Sequence, residues 1–130
     1  MNDTEKEFIN QWLVKANEDA RAANELFENE NPLCGVICFH CQQAIEKILK
    51  AYLLYQGNEL TKTHNIDFLL GEAKKYDDAF LGIDLLDLNQ YAVKVRYPDD
   101  FNIPSVSETK VFISITQAVK ELTEAKIILK

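Results

Sequence analysis

The chain has 130 residues, 47% of them hydrophobic and 27% charged, enough to bury a core without disulfide or metal staples. Its formal charge of −7 argues against phosphate binding over the whole surface, so a nucleic-acid contact would need a local basic patch. With 4 Gly and 3 Pro, long helices are favoured over many short strands.

The polar, acidic start MNDTEKEF has no signal-peptide pattern, and no apolar run reaches membrane-spanning length. Three closely spaced cysteines, Cys34, Cys38 and Cys41, point to reduced thiols and a cytoplasmic location.

The first helix is expected to open at Thr4, where Thr4-x-x-Glu7 forms a capping-box pattern. Its apolar stripe is Ile9, Leu13, Ala16, Ala20, Ala23 and Phe27, flanked by Phe8 and Trp12. The polar run from Glu28 to Asn31 ends it. Asn31-Pro32 then predicts the start of a second helix, with Asn as cap and Pro in the first turn. This helix of about 24 residues would span about 36 Å. Its inner face is Cys34, Cys38, Cys41, Ile45, Ile48, Leu49 and Tyr52, and Gly57 is its stop.

Thr63 or Asn65 is a cap for a short third helix carrying Ile66, Phe68, Leu69, Leu70 and Ala73. A fourth helix is expected over Ile83 to Val95, with Leu85, Leu88, Ala92 and Val95 inward. Arg96-Tyr97-Pro98 ends it, because Pro98 cannot continue the ladder. Ser105-x-x-Glu108 is a second capping box and opens the last helix, with stripe Val111, Ile115, Ala118, Leu122, Ala125 and Leu129. Short linkers and continuous apolar faces predict one all-α domain over residues 1–130. It is an up-down helical bundle of about five helices, three long and two short.

Cys34, Cys38 and Cys41 share one helical face at i, i+4 and i+7. That face runs on into Ile45, Ile48 and Leu49, which assigns the thiols to the core, with no metal expected. Beside them, Gln43, Glu46, Lys47 and Lys50 form a half-exposed edge with two i, i+4 pairs, Glu46–Lys50 and Gln43–Lys47. Such an edge is either a self-paired solvated face or a polar seam that orders a loop or receives a phosphate-bearing ligand. His64 is a capping histidine or an acid/base candidate. Arg96 offers a fork suited to phosphate, or simply complements a helix C-terminus. Asp99 and Asp100 stand next to it and would repel a phosphate unless neutralised.

Taken in order, these segments resemble the HEPN family (higher eukaryotes and prokaryotes nucleotide-binding domain). WLVKANEDARAANELF carries an A-x-x-D-x-x-x-A pattern at Ala16, Asp19 and Ala23. FHCQQAIEKILKAYL is similar to the family's second-helix signature, with His40, Gln42, Gln43, Glu46, Lys47 and Lys50 in place. Thr63-His64 followed by Ile66 and Leu69-Leu70 matches a third piece, and Val95-Arg96-Tyr97-Pro98 a fourth. The resemblance covers about residues 8 to 128.

It implies a helical bundle, often a homodimer, that binds a nucleotide or pairs with a minimal nucleotidyltransferase in a toxin–antitoxin-like system. Nucleotide-site candidates are then Asp19, Gln43, Lys47, Arg96 and Tyr97, with no cofactor. Toxic members of the family are metal-independent RNases with an Arg-x4-6-His motif. Here no histidine follows Arg96, and the two histidines, His40 and His64, lie upstream. The resemblance therefore leans to a non-catalytic module. The alternatives are an RNase with a divergent site at Arg96 and His64 or His40, and a structural or regulatory dimer without ligand.

Overall fold

The computed structural model describes residues 1–92 and 103–130. Helix α1 spans Asp3–Phe27, α2 Cys34–Tyr55, α3 Ile66–Lys74 and α4 Val106–Glu124. Among the described residues, two 3-10 turns, Asp78–Gly82 and Leu88–Ala92, lie between α3 and α4. No strand occurs among the described residues.

The all-α expectation holds, with four α-helices and two 3-10 turns among the described residues where about five helices are expected. The expected fourth helix is not an α-helix over its described part, up to Ala92. Leu85 and Leu88 do point inward as the sequence suggests, and both are buried. The chain between them turns sharply at Leu86, whose φ of 52° breaks any helix there. Val95, Arg96, Tyr97 and Pro98, on which the expected end of that helix rests, lie outside the described residues.

Two starts also move. Asn2, not Thr4, caps α1: its Oδ1 accepts the Glu5 N–H at 2.8 Å. Thr4 already sits in the first turn. Helix α2 begins at Cys34 rather than at Asn31-Pro32, and no side chain caps it. Leu33, at ψ 76°, is out of the helical region, and the Ile37 N–H to its carbonyl is the first helical bond at 2.9 Å. The other ends follow the sequence. Asn65 caps α3, accepting from the Asp67 and Phe68 amides. Ser105 and Glu108 make both bonds of the capping box on α4. At Gly57, φ is +92°, and the Gly57 and Asn58 amides return to the Leu54 and Leu53 carbonyls, a Schellman stop that needs a residue without Cβ.

Helix α2 is the centre of the bundle and packs on α1, α3, α4 and the second 3-10 turn. Its whole predicted inner face, Cys34 to Tyr52, is buried. Small residues on α1, Ala16, Ala20 and Ala23, let the two longest helices meet closely. The Tyr52 ring meets Phe80 of the first 3-10 turn at 4.9 Å and a tilt of 56°, and Tyr91 meets Phe112 of α4 at 5.9 Å.

Helix α4 is turned away from its predicted orientation. It buries Thr109, Phe112, Thr116, Val119 and Thr123, while Val111, Ala118 and Ala125 of the expected stripe are exposed. The reason lies in the threonines. Thr109 and Thr116 donate their hydroxyls to the Ser105 and Phe112 carbonyls of their own helix, both at 2.8 Å. With their hydroxyls so partnered, these threonines sit against α2 at little polar cost, and Thr109 Oγ1 lies 3.8 Å from Cys38 Sγ. Thr123 is buried too, and its hydroxyl has no partner among the described residues.

Candidate functional site

Two polar clusters flank Gln43 on α2. In the first, Asp19 reaches from α1 between two α2 residues seven apart. Lys47 donates from Nζ to Asp19 Oδ2 at 2.5 Å, and His40 Nδ1 lies 2.9 Å from Asp19 Oδ1. An ionised carboxylate only accepts, so this geometry places a proton on His40 Nδ1. All three side chains are partly open to solvent, at 13% for Asp19, 21% for Lys47 and 28% for His40. Lys47 balances the Asp19 charge, and protonation of His40 would leave a positive surplus on a chain that is acidic overall.

The second cluster is deeper. Glu46 and Lys50 form an ion pair at 3.2 Å, each 4% exposed. His64 Nδ1 closes on both Glu46 oxygens at 3.1 and 3.2 Å, with its ring 72% exposed. Gln42, fully buried, donates to the His64 carbonyl at 2.8 Å. Gln43 joins this side, donating to Gln42 at 2.8 Å and to Glu46 at 3.5 Å. The Trp12 ring covers Lys50, with the ammonium 5.5 Å from its centroid.

The half-exposed edge is thus corrected in its depth. Glu46 and Lys50 do pair, but inside the protein, and Gln42 is buried beside them. Gln43 and Lys47 do not pair; they turn to different clusters. The seam does order a loop, because Gln42 and Glu46 together hold His64 ahead of α3.

Of the nucleotide-site candidates, Asp19 and Lys47 touch, and Gln43 stands between the clusters without bonding to either residue. Arg96 and Tyr97 lie outside the described residues, and with them the Arg96 half of the RNase pairing. His64, the other half, is committed to Glu46. Sequence reasoning overlooked His40 as a partner of Asp19, and Trp12 as the lid of Lys50. The signal for His40 was there: it lies seven residues before Lys47 and so on the same face of α2.

The thiols are core groups. Burial pushes Cys38 up to about 12 and Cys41 up to about 11. Cys38 Sγ lies 3.8 Å from the Thr109 hydroxyl, and all three sulfurs are reduced. Among the described residues no His, Cys, Asp and Glu group is arranged to hold a metal ion. No described helix is long and apolar enough to cross a membrane.

Comparison with known proteins gives one match. No curated protein and no solved structure matches the chain. The family model of the HEPN domain matches residues 9–127, nearly the whole length. That span contains α2, α3 and α4 whole, all of α1 from Ile9 onward, and both polar clusters. The chain belongs to the HEPN family.

Proposed function

We infer that residues 1–130 form one non-catalytic HEPN module that binds a nucleotide and engages a minimal nucleotidyltransferase, as a homodimer in the cytoplasm. The pair would act as a toxin–antitoxin-like system. The observation that carries the reading is the convergence of Lys47 and His40 on Asp19 at the accessible edge between α1 and α2. A lysine and a histidine held side by side by one carboxylate suit a phosphate-bearing ligand, which would take over part of the donor set. Gln43 adds an amide close by, and Arg96 and Tyr97 belong to the same assignment through the family motif. Metal-independent RNA cleavage at Arg96 finds less support, since no histidine follows Arg96 where the family's RNase motif has one.

Titration calorimetry with ATP and GTP tests the reading, on the wild type and on Lys47→Ala and Arg96→Ala. Binding by the wild type, weakened in both variants, is the expected result. Co-expression with a nucleotidyltransferase encoded beside this chain tests the partner. Absence of both nucleotide binding and copurification would overturn the assignment.

A further inference from the structure

Helix α1 carries a row of four residues along the edge it shares with α2. Phe8, Trp12, Lys15 and Asp19 follow one another at steps of four, three and four, so they lie on one side of the helix. On α2, His40, Gln43, Lys47 and Lys50 repeat at steps of three, four and three. The two rows run in opposite directions. Asp19 meets His40 and Lys47 at one end, and Trp12 meets Lys50 at the other. Lys15 stands between Trp12 and Asp19, and the seven-residue step from Trp12 to Asp19 rises about 10 Å along α1.

Two features of the α1 row are not required by the packing. The first is Lys15. It is exposed and makes no hydrogen bond or ion pair among the described residues, whereas Lys47 and Lys50 each hold a carboxylate. This free cation gives the edge a positive excess that the chain as a whole lacks, with Lys15, Lys47 and Lys50 set against Asp19 and Glu46. The second is the aromatic pair. Phe8 is 41% exposed, and Trp12 keeps part of its surface in water although the Lys50 ammonium lies over its ring. The two rings meet edge to face, with centroids 6.3 Å apart and planes at 82°. Accessible aromatic rings in line with cations suit a ligand that has both a flat ring and negative charge, because every nucleobase offers a π face.

We propose that the Phe8–Trp12 end of this row is the base-binding half of the nucleotide site. The base stacks on Trp12 with Phe8 beside it, and the phosphates run past Lys15 to Lys47 and His40. The proposal rests on the nucleotide reading above and adds where the base goes and which further cation meets the phosphates. The two helical turns between Trp12 and Asp19 leave room for the ribose that joins the two halves of the ligand. Stacking registers that a base is present more than which base it is, so adenine and guanine nucleotides are bound alike. Inorganic polyphosphate has the charge without the base and engages the lysine end alone.

Trp12 is the one tryptophan of the chain, so its emission reports on this place alone. Titrations of the wild type with ATP and with inorganic tripolyphosphate, excited at the red edge of the indole band where adenine does not absorb, test the proposal. ATP is expected to quench Trp12; tripolyphosphate is expected to displace ATP and by itself to leave the emission unchanged. In calorimetry, Trp12→Leu is expected to weaken ATP about tenfold and to leave tripolyphosphate unaffected. Trp12→Phe, which keeps an aromatic ring above Lys50, is expected to retain most of the ATP affinity, and Lys15→Ala to weaken both ligands. Circular dichroism verifies that each variant is folded. Binding of neither ligand by the wild type would overturn this proposal together with the nucleotide reading. ATP binding that leaves Trp12 emission unchanged, or that Trp12→Leu weakens no more than tripolyphosphate binding, would overturn the base subsite and leave the nucleotide reading standing. Undiminished binding of both ligands by Lys15→Ala would overturn the phosphate path past Lys15.

Discussion

Asp19 and Glu46 hold the same company, one lysine and one histidine each, yet their settings differ. Glu46 is buried together with Lys50, and only the His64 ring reaches water. Asp19 keeps all three members of its cluster partly wet. Removing charge from water costs free energy that must be returned by pairing and hydrogen bonds, and the debt grows with depth. The Glu46 cluster is therefore committed to its internal partners. The Asp19 cluster can exchange a partner for a ligand at small cost, and this difference in depth separates a clamp from a candidate site.

The sharpest break of the comparison is Lys50→Met. It strands the Glu46 carboxylate in the interior, and urea unfolding should show a loss of about 3–5 kcal/mol. Adding Glu46→Gln should recover most of that loss, because the stranded charge is gone. Asp19→Ala leaves Lys47 and His40 with access to water, so its cost should be about 1 kcal/mol or less. If the two single variants cost the same, depth does not distinguish the clusters.

Smaller effects extend the contrast beyond carboxylates. Cys41 and Cys38, raised to about 11 and about 12, should resist an aromatic disulfide reagent at pH 8 in the native protein and react once it is unfolded. More open than either carboxylate is Asp77, 35% exposed, whose pKa is lowered by its 2.5 Å bond from Lys126 and by the Ala79 amide. A lowered folded pKa contributes stability above the unfolded value of about 3.9 and loses it as pH falls through the folded value. Asp77→Asn should therefore lower the melting temperature slightly at neutral pH, and the difference from wild type should vanish at the acid end.

Most of the fold was legible because apolar period and capping chemistry agree. On α2, the cysteines and isoleucines mark the buried face without ambiguity. On α4 they conflict. Thr109, Thr116 and Thr123 recur every seven residues as a polar row, and only their bonds back to the helix carbonyls make Thr109 and Thr116 fit for the interior. The row Val111, Ala118 and Ala125 therefore looked like the core. Helix periodicity likewise cannot show that Leu85 and Leu88 point inward from tight turns.

The site was legible in part. Lys47 and Asp19 came from motif positions. The depth of Glu46 and Lys50 was hidden, because two opposite charges four residues apart look the same on a wet surface as under Trp12. Only the packing of α1 across α2 decides between these cases.

The entry to α3 is held from two distant places. The Ile66 amide donates to Asn89 Oδ1 at 2.9 Å, and the His64 carbonyl accepts from Gln42 at 2.8 Å. Residues on both sides in sequence must be in position before this corner can close, so the local chain alone cannot form it. In order of assembly, the α3 corner is then a late event that waits for α2 and the second 3-10 turn. Its amide protons report whether those two elements have docked on each other.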